Sequence, residues 1–558
     1  MLFFPSRPWR ALRETLFLFL LSGAAHATTP PGYAVASAHP LATQAGMEIL
    51  AAGGNAFDAA VAVSAALTVV EPQSSGIGGG GFWLLHRQSD GFETMVDGRE
   101  VAPLAATRGM YLDAKGVAIP ALSRDGALSA AIPGAPSAWV YLSQKYGSLP
   151  LARTLAPAIR YAREGYVLDA RVARVLATEL PRFSPAAAAI WGSAAEGTRV
   201  KQPELADTLE QLAKNGNAGF YTGPVAEKLL AGVKAGGGIW APEDLSRYHV
   251  IERKPLAFFF RDYRIVTAPP PSSGGIVLAE SLGMLEALAW PPGDGVQARH
   301  RVVEALRRAF RDRQFVGDPD FVAIPLYRLL SRDYGLQLAR DIDYRAATPS
   351  ASLGARPATP EGDNTSHFSI LDAKGNRVAG TVTINLAFGS GYMAPGTGVF
   401  LNDEMDDFAA STTASNAYGL AGSAANAIAP GKRPLSSMSP TFVEGPRGLL
   451  IVGTPGGGRI PTMVLRAILG FTQGLTAAQV VALPRYHHQY LPDQIDYEPG
   501  ALSESEQAGL NALGHRLKAV PDGYGNMQAV TWDPKTGALD AQADPRGVGA
   551  GAVKLTGK

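Results

Sequence analysis

Cysteine is absent from this sequence of 558 residues. That absence excludes thiol nucleophiles, thiolate metal ligands and disulfide bonds. Any nucleophile of the chain must therefore be an oxygen or a nitrogen atom. A fold without disulfides depends on its hydrophobic core, and a chain of this length can bury a large one.

Long apolar runs and dense charge are also scarce. The apolar stretch at residues 16–25 has ten residues, whereas a membrane-spanning helix needs about 20, a length that no other stretch reaches. The formal net charge is +1 and no block of lysine and arginine occurs, so the composition indicates no nucleic-acid partner. The content of 46% hydrophobic and 18% charged residues is typical of an ordered globular protein.

Familiar catalytic motifs are missing as well. The chain has no Gly-x-Ser-x-Gly elbow, no His-Glu-x-x-His and no phosphate-binding P-loop. The glycine run at residues 76–81 precedes a predicted strand instead of following one, which argues against dinucleotide binding. The adjacent His487 and His488 would point to opposite faces of a strand, so we expect structural roles and no metal site.

The N-terminus has the composition of a secretory signal. Three arginines precede the apolar residues 16–25, and Ala25-His26-Ala27 fits a small-x-small cleavage site. We expect residues 1–27 to be a signal peptide and the mature protein to be periplasmic or secreted. An uncleaved anchor is the alternative.

Hydrophobic periodicity and capping residues predict the main elements. Helices are expected over residues 40–52, 56–70 (capped by Asn55), much of 150–235, 274–288, 300–315 and from about 461; strands are expected over 82–85, 93–96, 263–267, 365–384 as a hairpin that begins at Thr365, 441–443 and 449–452. Strands in hairpins at both ends, with helices between them, favour antiparallel sheets covered by helices.

Thr365 stands at the junction of two kinds of sequence. A loose segment rich in alanine, proline, serine and glycine, residues 346–364, runs into the alternating apolar pattern of the hairpin. Composition alone is typical of a surface linker followed by two strands. A threonine at a chain terminus would carry its own base, because a free α-amino group has a pKa of about 7.7–8.0. Cleavage before Thr365 would create such a terminus.

The motifs around this junction resemble those of gamma-glutamyltransferases. Thr365-Ser366-His367-Phe368-Ser369, followed by residues 381–385, is similar to the start of the small subunit of these enzymes. They are N-terminal nucleophile hydrolases, made as one inactive chain that cleaves itself. Further similar motifs occur in order at residues 97–100, 132–134, 269–275, 317–320, 402–408, 432–440, 455–457 and 484–489. By itself each motif also fits an ordinary turn or strand end.

The resemblance implies an α+β fold, a four-layer αββα sandwich of two stacked antiparallel sheets flanked by helices. Residues 28–364 would form the large subunit and residues 365–558 the small catalytic subunit. The two products of one precursor would together form one structural domain, a heterodimer.

The resemblance also implies catalytic roles. After cleavage of the Asn364–Thr365 bond, the Thr365 hydroxyl would be the nucleophile and its new α-amino group the general base. Thr383 would orient that hydroxyl by a hydrogen bond. The backbone N–H groups of Gly456 and Gly457 would form the oxyanion hole.

Substrate-binding roles follow from the same resemblance. The zwitterionic end of a glutamyl group would be bound by Arg99, Ser436 and Ser437 at its carboxylate, and by Asn385, Glu404 and Asp407 at its ammonium. Tyr418, in the loose segment 411–434, falls where some relatives have a lid tyrosine. Asp403 stands where asparagine is usual and would alter substrate choice if it points inward, and Gly458 replaces a frequent serine.

The implied function is that of an exported gamma-glutamyltransferase and glutathione hydrolase. It would pass a γ-glutamyl group from glutathione or a similar donor, through an ester on Thr365, to water or to an amino acid or peptide. No metal or organic cofactor, nucleic-acid partner or stable membrane insertion is expected. A same-fold cephalosporin acylase or poly-γ-glutamate capsule transferase is one alternative, and an exported binding or scaffold protein that never matures is another.

Overall fold

The computed structural model describes residues 29–291, 293, 295–354, 364–409 and 423–556. In these ranges the strands are β1 Gly32–Ser37, β2 Gly80–Arg87, β3 Phe92–Gly98, β4 Tyr166–Val167, β5 Arg199–Val200, β6 Ile251–Arg253, β7 Leu256–Phe260, β8 Tyr263–Thr267, β9 Ser366–Leu371, β10 Arg377–Thr383, β11 Met393–Ala394, β12 Val399–Phe400, β13 Thr441–Gly445, β14 Gly448–Gly453, β15 Tyr486–His487, β16 Ile495–Tyr497, β17 Leu517–Ala519, β18 Gln528–Trp532, β19 Leu539–Ala543 and β20 Ala550–Leu555.

The α-helices of the same ranges are α1 Pro40–Ala51, α2 Ala56–Val70, α3 Pro120–Arg124, α4 Ala135–Lys145, α5 Leu151–Glu164, α6 Ala170–Glu179, α7 Pro185–Trp191, α8 Pro203–Asn215, α9 Ala218–Tyr221, α10 Gly223–Ala235, α11 Pro242–Arg247, α12 Gly274–Ala287, α13 Val296–Asp312, α14 Leu326–Leu329, α15 Arg332–Arg340, α16 Ile460–Thr472, α17 Ala477–Ala482 and α18 Glu504–Ala512. Short 3-10 helices at Arg313–Phe315, Glu404–Asp407 and Gly457–Arg459 border the candidate site described below.

Two antiparallel sheets hold most of the strands. Their orders are β20-β1-β9-β10-β2-β3-β6 and β19-β18-β14-β13-β8-β7. Both sheets combine strands from before and after Thr365, since β1 pairs with β9, β2 with β10 and β8 with β13. The two parts of the sequence are therefore interleaved at the centre of the molecule.

Alternating side chains of β2 show how the layers stack. Trp83 and Leu85 belong to a core that includes residues of α1, α2, α4 and α5. Phe82 and Leu84 belong to a second core, which includes the other sheet together with α12, α13 and α16. Because successive strand residues point to opposite faces, one face of this sheet packs on helices and the other on the second sheet. The predicted four-layer αββα sandwich is confirmed.

Local sequence accounts well for helix α2. Asn55 caps it, accepting hydrogen bonds from the N–H groups of Phe57 and Asp58, while Asp58 accepts one from the N–H of Asn55. This is a reciprocal capping box. Every residue of the helix is buried, as its alanine-rich composition predicts.

Some boundaries differ from the predictions. Strand β9 begins at Ser366, so Thr365 lies directly before the strand. Strand β2 starts two residues earlier than expected because Gly80 and Gly81 pair with Thr383 and Val382 of β10, a partner that local sequence does not reveal. The predicted signal peptide lies outside the described residues. No helix among the described residues has the length and apolarity to span a bilayer.

Candidate active site

Antiparallel pairing places Thr365 next to Thr383. Strand β10 ends at Thr383, and the register of β9 with β10 pairs Ser366 with Val382. The Oγ1 atoms of Thr365 and Thr383 are 3.3 Å apart. Thr383 Oγ1 also accepts a hydrogen bond of 2.8 Å from the N–H of Asn385. Thr365 is 6% exposed, and its hydroxyl donates to the carbonyl oxygen of Asn364 at 2.6 Å.

A pocket beside Thr365 collects most of the predicted side chains. It is lined by Arg99, Arg313, Thr365, Thr383, Asn385, Glu404, Asp407, Ser436, Ser437, Met438, Gly457 and Ile460. Arg313, Met438 and Ile460 are not in the predicted set. Arg313 lies four residues before the 317–320 motif, but it is one of several arginines around α13 and carries no distinguishing local signal. Tyr418 lies outside the described residues.

Arg99 is the centre of a buried ion-pair network. It follows β3, is 1% exposed and pairs with both Glu404 and Asp407. Its guanidinium also donates to the carbonyl oxygen of Leu435 at 3.2 Å. The cationic and anionic groups predicted for the two ends of a glutamyl zwitterion are therefore in direct contact here.

Burial and charge act against each other on this network. Burial lowers the pKa of Arg99, but the carboxylates of Glu404 and Asp407 outweigh burial and raise it. Burial raises the pKa of Glu404 well above its usual range and that of Glu100 to about 8, although Arg99 opposes both shifts. A buried carboxyl is costly to ionise without a counter-charge, and Arg99 is the counter-charge that Glu100, Glu404 and Asp407 share in this network.

The Ser436-Ser437 turn is held firmly by the start of α12. The N–H of Ser436 donates to the carbonyl oxygen of Pro271 at 2.9 Å, and its carbonyl oxygen accepts from the N–H and hydroxyl of Ser273 at 2.8 and 2.9 Å. Within the described ranges, Ser437 Oγ and Glu404 Oε2 are buried without a hydrogen-bond partner. Buried polar atoms are usually satisfied, so these two atoms of the pocket wall indicate a place for a polar ligand.

Gly456 and Gly457 have backbone geometry that requires glycine. Their φ angles are +129° and +51°, which side-chain-bearing residues rarely adopt. Gly457 lines the pocket and opens the short helix that leads into α16. The N-terminal end of a helix favours negative charge. The oxyanion role of the two N–H groups remains a prediction.

Among the described residues, no histidine is hydrogen-bonded to the Thr365 hydroxyl, which contacts Asn364 and Thr383. Between the sheets, His367 Nδ1 lies 2.9 Å from Thr381 Oγ1, and burial lowers the pKa of His367 to about 3. His487 and His488 are also buried: His487 contacts Thr462 Oγ1 at 2.8 Å and His488 contacts Asp493 at 3.3 Å. Burial lowers the pKa of His487 to about 3 and that of His488 to about 4.

One cluster of metal-ligating residue types lies elsewhere among the described residues. Potential ligand atoms of His300, Glu304 and His515 lie within 4.8 Å of one another. However, His300 Nδ1 is 2.8 Å from His515 Nε2, and Glu304 pairs with both Arg307 and Arg308. The positive charges of these two arginines would repel a bound cation. The three side chains therefore take part in hydrogen bonds and ion pairs and do not form a metal site.

Asp403 does not line the pocket. Its Oδ1 accepts a hydrogen bond of 3.0 Å from the N–H of Leu386, and burial raises its pKa well above the usual range. The inward orientation that would alter substrate choice is not observed.

Comparison with known proteins identifies the family. The sequence matches gamma-glutamyltranspeptidase over residues 42–554. It is 42% identical over 513 residues to the glutathione hydrolase proenzyme of Pseudomonas sp. (strain A14), covering 89% of this chain and 88% of that protein. It is 39% identical over 527 residues to the glutathione hydrolase proenzyme of Escherichia coli (strain K12), covering 92% and 90%. Among solved structures, cephalosporin acylase from Bacillus halodurans matches with a TM-score of 0.81 at 28% identity, covering 99% of each chain. The chain thus belongs to the gamma-glutamyltranspeptidase family and has its N-terminal nucleophile hydrolase fold.

Proposed function

We propose that this protein is a self-processing γ-glutamyl acyltransferase and glutathione hydrolase with Thr365 as its nucleophile. The observation that carries this proposal is the placement of the Thr365 hydroxyl beside Thr383, at the edge of the pocket that contains Arg99 and Glu404. A nucleophile, an orienting hydroxyl and groups complementary to an amino-acid head group meet in one buried place.

Maturation begins with the Thr365 hydroxyl, which already contacts the carbonyl group of Asn364. Its oxygen attacks the Asn364 carbonyl carbon, the C–N bond breaks, and the hydroxyl proton passes to the departing nitrogen. Water then hydrolyses the resulting ester, which leaves a carboxylate on Asn364 and a free amino group on Thr365. The precursor is inactive because an amide nitrogen cannot act as a base.

The mature site performs acyl transfer in two steps. The free amino group of Thr365 takes the hydroxyl proton while Oγ attacks the γ-carbonyl carbon of the donor, and the same proton then passes to the leaving amine. Water or the amino group of an acceptor attacks the γ-glutamyl ester and releases Thr365. The N–H groups of Gly456 and Gly457 stabilise the negative oxygen in each step.

Donor recognition uses the network around Arg99. The α-carboxylate of a glutamyl group replaces carboxylates of the protein on Arg99 and receives a hydrogen bond from Ser437. Its α-ammonium binds Glu404, Asp407 and Asn385. Exchanging protein ion pairs for ligand ion pairs avoids leaving a buried charge unpaired, which would be strongly unfavourable.

Cephalosporin acylase activity is the second candidate, because a solved acylase matches the whole chain. The ion-pair network favours an α-amino-acid head group instead. Parallel assays with a γ-glutamyl anilide and with a cephalosporin that carries an amide-linked side chain distinguish the two activities. Turnover of the cephalosporin alone would reverse the assignment.

Gel electrophoresis with N-terminal sequencing tests maturation. Wild type should yield two fragments, residues up to Asn364 and residues 365–558, whereas Thr365→Ala should stay intact and inactive. The fragments should co-elute on gel filtration as a heterodimer. A wild-type chain that remains whole after prolonged incubation would contradict self-processing.

Export is part of the same proposal. Mass spectrometry of the protein from cell fractions should find the mature N-terminus near Thr28 in the periplasm or medium. An intact N-terminus in the membrane fraction would instead identify a retained anchor.

A further inference from the structure

Arg313 is a second cation in the wall of the active-site pocket. It lies directly after α13, is 8% exposed and lines the pocket together with Thr365 and Ser437. Its Nε–H donates to Ser273 Oγ at 3.1 Å. Among the described residues it forms no ion pair, although the negative charge of Asp407 is close enough to act on it.

The two pocket arginines differ in how their charge is matched. Arg99 is in direct contact with the carboxylates of Glu404 and Asp407 and donates to two backbone carbonyl groups as well. Among the side chains of the described ranges, the partner of the Arg313 guanidinium is the neutral hydroxyl of Ser273. A buried cation without a contacting anion is unfavourable, so Arg313 would gain from an incoming carboxylate that also contacts Arg99.

Ser273 fixes Arg313 relative to the predicted carboxylate-binding turn. The Ser273 hydroxyl accepts from Arg313 and donates to the carbonyl oxygen of Ser436. The neighbouring Ser437 hydroxyl is buried without a partner in the described chain. Arg313 and Ser437 thus present donors to one pocket from a shared, hydrogen-bonded support, which reduces the entropy lost when a ligand binds.

We propose that Arg313 binds a carboxylate of the γ-glutamyl donor, an inference that rests on the proposed function. Glutathione has two such groups, the α-carboxylate of its glutamyl part and the carboxylate of its leaving peptide. The link to the Ser436-Ser437 turn assigns Arg313 to the α-carboxylate. Arg313 is then a specificity-determining residue, which distinguishes glutamyl donors from amides without an α-carboxylate.

Steady-state kinetics of Arg313→Met and Arg313→Lys test this assignment with two donors. A γ-glutamyl anilide has the α-carboxylate alone, whereas glutathione has both groups. We expect Arg313→Met to raise KM at least about tenfold for both donors, with kcat changed less than about threefold. Arg313→Lys should show a smaller rise, because an ammonium lacks the bidentate geometry of a guanidinium. If Arg313→Met does not mature, the KM of Arg313→Lys, compared with that of wild type, tests the assignment in its place.

Arg311→Gln is the matched control. Arg311 lies two residues earlier, pairs with Asp312 at 2.8 Å and does not line the pocket. The KM of the Arg311→Gln variant should therefore equal that of wild type. A rise confined to glutathione would move Arg313 to the leaving-peptide carboxylate and overturn the α-carboxylate assignment. An unchanged KM, with losses only in maturation or melting temperature, would overturn the inference altogether. Wild type that fails to cleave either donor would instead refute the proposed function.

Discussion

Thr383 shows how strand pairing turns an ordinary residue into part of a site. It ends β10 beside Thr365, with 3.3 Å between the two Oγ1 atoms, and receives the N–H of Asn385 at 2.8 Å. Asn385 has a φ of +73°, so the chain turns sharply just after the strand. This contact would hold the proposed nucleophile in one orientation without a charged group.

Removing the Thr383 hydroxyl should lower the rate of the chemical step more than it weakens substrate binding. We expect Thr383→Ala to lower kcat about 10- to 100-fold with little change in KM, because a misoriented nucleophile loses rate at that order. Thr383→Ser keeps the hydroxyl and should stay within about threefold of wild type. Assays with a γ-glutamyl anilide, at equal maturation judged by gel, measure both. Equal losses in the two variants would contradict the orienting role.

At the scale of elements, Glu71 joins the end of helix α2 to the start of strand β9. It is the C-terminal cap residue of α2, and its Oε2 accepts the Ser366 hydroxyl at 3.1 Å. Burial raises its pKa from 4.5 to about 7. Ser366, the residue next to the proposed nucleophile, is thus anchored by a carboxyl whose pKa lies near neutral pH.

Glu71→Gln should flatten the dependence of stability on pH. A raised carboxyl pKa means that the folded protein binds the proton of Glu71 more tightly than the unfolded chain does. The resulting contribution to the stability of the fold is complete below pH 4.5 and is lost as pH rises to about 7. The shift corresponds to about 3 kcal/mol. Melting temperature from pH 4 to 8 should fall less in the variant, with exposed Glu227→Gln as control. Parallel curves for Glu71→Gln and wild type would refute the linkage.

The two sheets meet closely at Gly453 of β14 and His367 of β9. A Cβ atom on Gly453 would lie 2.4 Å from Cε1 of the His367 ring. That ring is fully buried and contacts Thr381, so it has no free space to move into. Glycine is required here by packing against the opposite sheet.

Gly453→Ala should therefore destabilise the sandwich. Overpacking of this kind costs about 1–3 kcal/mol, and the melting temperature should fall accordingly. Gly283→Ala in α12 adds the same methyl group where no atom lies within 4 Å, and it should match or exceed wild-type stability because alanine favours helix. Equal melting temperatures for the two variants would show that the sheets can separate at little cost.

At the scale of the whole molecule, both ends of the described chain meet in one sheet. Strand β20 pairs with β1 over residues 550–555, and β1 pairs with β9 on its other side. The last strand thus covers an edge that would otherwise expose unpaired backbone groups next to the strand that follows Thr365.

Ending the chain at Gly549 should weaken the assembly. We expect a lower melting temperature, slower maturation and more aggregation on gel filtration, because β1 becomes an exposed edge strand. Removing residues 557 and 558 alone is the control and should have no effect. A truncated protein that matures and melts like wild type would show that β20 does not support the sheet.

Sequence by itself determined the features that depend on neighbouring residues or on motifs that occur in a fixed order along the chain. The capped helix α2 follows from Asn55, the exclusion of thiol chemistry from composition, and the family and four-layer fold from motifs spread along the chain. Thr365, Thr383 and the pocket residues around Arg99 were identified by that resemblance. Their individual roles in catalysis stay predictions.

Only the tertiary structure determined the contacts between segments that are far apart in the sequence. Arg99 contacts Glu404 and Asp407 across about 300 residues of sequence, so their direct pairing has no local signature. Arg313 enters the pocket because the end of α13 packs against the turn that begins α12, and Asp403 turns away from it to bind Leu386. Such contacts are set by how the sheets and helices pack, whereas periodicity and capping report only on neighbours along the chain.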